Sequence, residues 1–142
     1  MRKKKVCVVI TARPSYSRCK TALEAIKSHD CLELQLVLAA SALSDKYGNV
    51  SRLIEAQGFQ VVARIESLLE GSELVTMAKT TALTLSELSS VFSDLAPDLV
   101  VTIADRYETL ATAIAATYLG LPLVHLQGGE VSGNIDDRVR NA

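Results

Sequence analysis

The segment 125–140 holds the densest group of chemically capable side chains. Glycines at 128, 129 and 133 would let the backbone approach a ligand closely. Carboxylates and arginines follow within a few positions: Glu130, Asp136, Asp137, Arg138 and Arg140. A helix would place Asp136 and Arg140, which are four residues apart, on one face. That spacing predicts an acid/base carboxylate beside an arginine, and the alternative is a surface loop followed by an ordinary ion pair.

Three candidates lie at the ends of short apolar runs typical of strands. Arg13 lies in a turn before a helix, where it would meet phosphate or pyrophosphate or else be solvated. Asp105 would face a ligand or cap the next helix, and His125 is either a core or a functional histidine. No GxGxxG fingerprint or GxxxxGK[ST] loop follows the first run, which argues against a dinucleotide fingerprint and a P-loop.

The elements that must position these residues alternate regularly. Strands are predicted over 6–11, 32–40, 59–65, 99–103 and 122–126, with helices between them. A long helix is predicted to begin at the cap Ser72, and its apolar stripe is Leu74, Ala78, Leu85, Leu88, Phe92 and Leu95. This order predicts an α/β fold, a doubly wound, Rossmann-like parallel sheet with helices on both faces. Ligands bind such sheets at the carboxyl ends of the strands.

Composition narrows the class of protein. The chain has 142 residues, 49% of them hydrophobic and 22% charged, which suits one globular domain over 1–142. The net charge of −1 argues against nucleic acid as a partner. Three cysteines without metal spacing predict free thiols and a cytoplasmic location, and Gly120 and Pro122 interrupt the one uncharged run that could suggest a membrane helix. A final helix starts near Asp136 without a stop signal, so we expect the chain to end inside it.

Several motifs together resemble the N-terminal domain of the hydrolysing UDP-N-acetylglucosamine 2-epimerases. They are TARPSY at 11–16, DKYGN at 45–49, PDLVV at 97–101, DRYE at 105–108 and the segment 125–140. The resemblance covers nearly the whole chain. It implies two Rossmann-like domains arranged as in the B-type glycosyltransferases, with the C-terminal domain absent from this chain.

The resemblance also implies a reaction. A proton leaves C2 of the sugar, UDP is eliminated in the anti sense to give a 2-acetamidoglucal, and water adds. UDP-N-acetylglucosamine thus becomes N-acetylmannosamine and UDP, for sialic or related nonulosonic acid biosynthesis, with no metal or other cofactor. The partners implied are a UDP-sugar substrate and, in the full-length protein, further copies of itself, with no membrane. The 142-residue piece alone is expected to be inactive.

The same resemblance assigns the site residues. The catalytic set is Asp105, Glu130, Asp136, Asp137 and Arg140. The set that binds the substrate and its UDP is Arg13, Ser17, Arg106, His125, Gln127 and Gly128.

Two departures from the family pattern bear on the substrate. The first turn reads Arg-Pro-Ser-Tyr from Arg13, and Gln127, which is no base, precedes the Gly-Gly pair. These leave open a 2,4-diacetamido-trideoxy sugar nucleotide as the substrate. A non-hydrolysing 2-epimerase and a non-catalytic sugar-nucleotide-binding domain remain the alternative functions.

Overall fold

The computed structural model describes residues 1–142 as a five-stranded sheet flanked by helices. The strands are β1 (Lys4–Ile10), β2 (Leu32–Ala39), β3 (Val61–Ile65), β4 (Leu99–Ile103) and β5 (Leu123–Leu126). The α-helices are α1 (Arg13–Ser28), α2 (Ser51–Ala56), α3 (Leu74–Leu95), α4 (Glu108–Tyr118) and α5 (Ile135–Asn141). Two short 3-10 turns, Ala40–Leu43 and Asp45–Tyr47, occupy the predicted loop after β2. None of the helices combines the length and the apolar character that crossing a bilayer requires.

All strand pairs are parallel, in the order β3-β2-β1-β4-β5, which confirms the predicted sheet. The central strand β1 is covered on both sides. Val8 and Ile10 join the core on one face, while Cys7 and Val9 join the core on the other. A strand with no solvent-facing side needs a continuous apolar run, and this is the pattern that predicted β1.

Helices pack against both faces, as predicted. On one face α1 and α2 contribute Tyr16, Leu23 and Ile54 to the core. On the opposite face α3 and α4 contribute Leu88, Phe92, Ala111, Ala115 and Ala116. Each large apolar side chain buried this way contributes about 1.5–3 kcal/mol.

The first half of α3 departs from the prediction. The helix begins at Leu74 with Glu73, not Ser72, at its N-cap, and Leu74 and Ala78 are exposed. A 22-residue helix is about 33 Å long, whereas a five-residue strand spans about 17 Å, so α3 is too long for the sheet to cover. The buried positions nearest this end are Thr80 and Thr84. Their hydroxyls are hydrogen bonded: Thr80 accepts from the amide of Leu69, and Thr84 donates to the carbonyl of Thr80.

The strand order places a switch point between β1 and β4, because β2 follows β1 on one side and β4 lies on the other. The carboxyl ends of these two strands lead into Arg13 and Asp105 respectively. Three strand ends on this edge turn through a non-glycine residue with positive φ: Ala40 at 51°, Ala104 at 64° and Gln127 at 62°. Strained turns of this kind concentrate at functional sites, and this edge is where the sequence placed the candidate residues.

Candidate active site

The end of β4 is tied to β5 through Ala104. The Ala104 amide donates to the carbonyl of Leu126 over 2.9 Å, and the Ala104 carbonyl accepts from Nε2 of His125 over 2.8 Å. Because a carbonyl can only accept, Nε2 of His125 carries the proton in this contact. His125 therefore stabilises the turn that connects β4 to Asp105.

Asp105 does not cap α4, because the helix begins at Glu108 and its N-cap is Tyr107. The Asp105 carboxylate instead accepts a hydrogen bond from Arg140. Of the two readings of Asp105, the structure therefore excludes the helix cap.

Arg140 connects three segments of the chain from a buried position, 5% exposed. Its guanidinium donates to the Asp105 carboxylate, to the carbonyl of Glu130 and, over 3.2 Å, to Oδ1 of Asp137. The ion pairs of Arg140 are thus with Asp105 and Asp137, so the pairing of Arg140 with Asp136 that the i,i+4 spacing predicts is wrong.

Asp137 anchors the loop before α5. Its carboxylate accepts from the Ser132 amide over 2.5 Å, the Ser132 hydroxyl over 2.8 Å and the Gly133 amide over 2.6 Å. These donors hold the pKa of Asp137 below its usual value. The neighbouring Asn134 caps α5 by accepting from the amide of Asp136 over 2.8 Å. Asp137 is therefore an ionised carboxylate, and both of its oxygens accept hydrogen bonds.

Asp136 differs from Asp137 in having no hydrogen bond to its side chain. Burial raises the pKa of Asp136, and the negative charge of Asp105 raises it further, while Arg106 and Arg140 act in the opposite direction. A partly buried carboxyl without a fixed partner can both hold and release a proton. Within the cluster, Asp136 is the side chain best suited to proton transfer.

Glu108 is a member of the cluster that sequence reasoning missed. It is fully buried in the first turn of α4, and both its oxygens accept from Arg106, with Nε to Oε2 and Nη2 to Oε1 each 3.4 Å. Burial raises the pKa of Glu108, and the Arg106 charge opposes this. The sequence indication was its place as the last residue of the DRYE motif at 105–108, from which only Asp105 and Arg106 were predicted as site residues.

The remaining predicted residues follow strand ends at the same edge of the sheet. Arg13 begins α1 and packs against Gly48, where a β-carbon would lie 2.9 Å from Nη1 of Arg13. Ser17 is exposed on α1. Oε1 of Gln127 accepts from Nη1 of Arg18 over 3.2 Å.

Two further predicted residues, Gly128 and Glu130, contribute no side chain to the hydrogen bonds and ion pairs of the cluster. Gly128 leaves room for the His125 ring, whose Nδ1 would lie 3.2 Å from an added β-carbon. Glu130 supplies its backbone carbonyl to Arg140, while the residue itself is exposed. The structure thus brings Asp105, Arg106, Asp136, Asp137 and Arg140 together. No hydrogen bond or ion pair connects Arg13 or Ser17 to them.

A cavity of about 380 Å³ opens elsewhere on this edge, beside the ends of β2 and β3. Its walls include Leu43, Lys46, Tyr47, Glu66 and Glu70. None of the predicted site residues lines it.

Comparison with known proteins agrees with the motif resemblance. Residues 24–142 match the family model described as UDP-N-acetylglucosamine 2-epimerase. The chain is 34% identical over 143 residues to a GDP/UDP-N,N'-diacetylbacillosamine 2-epimerase (hydrolyzing) of Campylobacter jejuni, an alignment that covers 100% of this chain and 37% of that protein. It is also 34% identical to the UDP-N,N'-diacetylbacillosamine 2-epimerase (hydrolyzing) of Legionella pneumophila, covering 98% of this chain and 37% of that protein. A UDP-N-acetylglucosamine 2-epimerase of Neisseria meningitidis is 26% identical, covering 98% of this chain and 36% of that protein.

Solved structures show the same fold. The Neisseria meningitidis UDP-GlcNAc 2-epimerase bound to UDP-GlcNAc superposes with a TM-score of 0.81 at 18% identity, covering 96% of this chain and 37% of that one. The Methanocaldococcus jannaschii UDP-GlcNAc 2-epimerase gives 0.79 at 17% identity, covering 96% and 35%. The chain thus spans 37% of the length of the curated relatives that match it at 34% identity. It belongs to the UDP-N-acetylglucosamine 2-epimerase family, of which it represents the N-terminal part.

Proposed function

We propose that this chain forms the carboxylate-bearing part of a hydrolysing sugar-nucleotide 2-epimerase. The C2 proton of a UDP-linked 2-acetamido sugar is removed, the C1–O bond to UDP breaks, and water adds to the resulting 2-acetamidoglucal. The products are UDP and the free C2-epimeric sugar. The observation that carries the proposal is Asp136, a carboxyl without a hydrogen-bond partner among charged groups at the ligand-binding edge of a sheet of this family.

Each carboxylate of the cluster has a different role in this reaction. Asp136 takes the C2 proton, because its raised pKa makes it a stronger base than an ordinary aspartate once ionised. Asp105 is oriented by Arg140, its charge acts on Asp136, and it would serve the later proton transfer to the glucal. Asp137 acts through the loop that it anchors. The Glu130 side chain is exposed and only its backbone carbonyl contacts the cluster, through Arg140, so Glu130 would serve as a further acid/base group by reaching the substrate directly.

Two arginines flank the switch point and would bind the diphosphate of the leaving UDP. Arg13 is exposed at the N-terminal end of the 16-residue helix α1, where free amide groups favour an anion. Arg106 follows β4 and keeps 36% of its side chain exposed. Fixed cations at this position stabilise the charge that develops as UDP departs. Ser17, His125, Gln127 and Gly128 complete the proposed substrate contacts.

The relatives favour one substrate over another. Both relatives at 34% identity are named for nucleotide-linked N,N'-diacetylbacillosamine, a 2,4-diacetamido-trideoxy sugar, the Legionella protein for the UDP form and the Campylobacter protein for the GDP and UDP forms. The Neisseria relative named for UDP-N-acetylglucosamine is 26% identical. UDP-N,N'-diacetylbacillosamine is therefore the first substrate to test. UDP-N-acetylglucosamine, with N-acetylmannosamine as product, is the second.

The test is an NMR assay of the natural full-length polypeptide in D2O with each sugar nucleotide. A hydrolysing enzyme releases UDP and free sugar in equal amounts, with deuterium at C2. A UDP-linked epimer would instead identify the non-hydrolysing reaction, and binding without either product would identify a non-catalytic domain.

One substitution tests the role of Asp136 in the same assay. Asp136→Asn is expected to lower turnover about 10²-fold or more with substrate binding retained, and exposed Asp94→Asn is the matched control. Unchanged turnover in Asp136→Asn would contradict the assignment. The 142 residues alone are expected to show no measurable turnover, because the named relatives are almost three times as long.

The expected homo-oligomer has a candidate surface. Leu74 and Val75 are exposed side by side in the first turn of α3, with 66% and 61% of each residue accessible. A second copy packing on this helix would remove that apolar area from water. Light scattering of the full-length wild-type protein and of its Leu74→Glu variant tests this. The variant is expected to lose the oligomer.

A further inference from the structure

Glu108 is a carboxylate buried in the first turn of α4. It is 0% exposed, and burying a carboxylate is strongly unfavourable without a partner. Its charged partner is Arg106, two residues earlier, which reaches both carboxylate oxygens through Nε and Nη2. A guanidinium is planar, so fixing Nε and Nη2 also fixes the direction of Nη1.

Arg106 is held from a second side by Tyr107. Its guanidinium carbon lies 4.9 Å from the centre of the Tyr107 ring, and Nη2 is 3.4 Å from the Tyr107 hydroxyl. No hydrogen bond engages Nη1, and 36% of the Arg106 side chain remains exposed. The held guanidinium therefore keeps the NH2 group of Nη1 free for an external anion.

Asp136 is a second carboxylate that competes with Glu108 for the Arg106 guanidinium. The hydrogen bond from Arg140 to Asp105 brings α5, whose first turn carries Asp136, beside the segment that carries Arg106 and Glu108. The Asp136 charge accordingly acts on both Arg106 and Glu108. The ion pair nevertheless forms between Arg106 and Glu108, and Asp136 has no salt bridge. Without Glu108, the guanidinium would have Asp136 as an alternative partner.

We propose that Glu108 is a positioning residue that holds Arg106 away from Asp136, keeping Nη1 of Arg106 open to the substrate diphosphate and the Asp136 carboxyl unpaired. The proposal rests on the function proposed above. A plainer role also exists for Glu108, because a carboxylate in the first turn of α4 stabilises the helix by itself. The two roles differ in what happens to Arg106.

The experiment follows the Arg106 Nε–H group of the 142-residue chain by ¹⁵N NMR. Glu108→Gln, nearly isosteric but uncharged, is expected to shift this signal and speed its hydrogen exchange at least tenfold. The same variant should bind inorganic pyrophosphate about tenfold more weakly. The matched control is Glu24→Gln, which removes the carboxylate of an exposed i,i+4 ion pair on α1 and should change neither quantity.

A second variant keeps the test independent of the folding of Glu108→Gln. Asp136→Asn should leave the Arg106 Nε–H signal in place, because the structure pairs Arg106 with Glu108. An unchanged signal in Glu108→Gln, or a larger change in Asp136→Asn than in Glu108→Gln, would overturn the proposal. The NMR measurements need no turnover, so an inactive full-length enzyme with an intact Arg106 response would overturn the proposed function alone.

Discussion

Arg140 on α5 donates a hydrogen bond to the carboxylate of Asp105, although 35 positions separate the two residues. The contact joins the last helix to the end of β4, and Arg140 also donates to the carbonyl of Glu130. It turns two charged residues from different elements into one pair at the ligand-binding edge. The position of α5, and with it that of Asp136, depends on this pair.

Replacing Arg140 should loosen α5 more than the rest of the fold. Arg140→Met removes the donors to Asp105 and Asp137, and hydrogen bonds to charged groups are worth about 1.5–3 kcal/mol each. Hydrogen exchange should show lost protection in α5 and the loop before it, with β1 and β2 unchanged. Exposed Arg138→Gln is the control, and equal loss of protection in both variants would argue against the role of Arg140.

Removing the Asp105 charge should lower the pKa of Asp136. Burial is the larger cause of the raised pKa and remains in Asp105→Asn, so the pKa should fall only part of the way. ¹³C NMR titration of the carboxyl groups measures this directly. Asp94→Asn is the control, and an unchanged Asp136 pKa in Asp105→Asn would contradict the prediction.

The raised pKa of Asp136 also predicts how pH affects stability. The folded-state pKa lies above the unfolded value of about 3.9, so the contribution is fully present below that pH. It is lost as the pH rises through the folded-state pKa. In Asp105→Asn this loss should occur at lower pH, which denaturant unfolding at a series of pH values can follow.

Asp137 should behave in the opposite way. Its folded-state pKa is lowered, so its contribution is present above about pH 3.9 and is lost as the pH falls through the folded-state value. Asp137→Ala should remove the exchange protection of the Ser132 and Gly133 amides at neutral pH. Asp136→Ala, which removes no side-chain hydrogen bond, should leave those amides protected. Equal effects of the two substitutions would contradict this division.

Gly48→Ala should both strain the backbone and displace Arg13. Gly48 has a φ of 74°, where an L-residue costs about 1–2 kcal/mol, and the new β-carbon would meet Nη1 of Arg13 at 2.9 Å. Gly120→Ala is the matched control, with a φ of 66° and no neighbouring atom within 4 Å. Both variants should lose similar stability in denaturant unfolding. Only Gly48→Ala should weaken pyrophosphate binding, and equal binding in both would argue against Arg13 as an anion contact.

The alternation of strands and helices followed from the amino-acid pattern alone. Apolar runs such as that of β1 are long enough and continuous enough to require burial on both faces. Local patterns also placed Arg13, Asp105 and His125 at strand ends, because residues that follow parallel strands share one edge. Local patterns could not predict that α3 extends past the sheet, because this depends on the length of the strands beneath the helix.

Which carboxylate does what was decided by the tertiary structure. Asp136 and Asp137 are adjacent in the sequence, yet Asp137 is engaged by Ser132 and Gly133 while Asp136 has no partner. Arg140 meets Asp105 only because β5 lies beside β4 and the chain then returns through α5. Glu108 is a protected ion-pair partner only because α4 packs against the sheet and excludes water from it. Spacing along the chain specifies which residues can share a helix face, but the strength and direction of an electrostatic contact depend on burial and on distances between segments far apart in sequence.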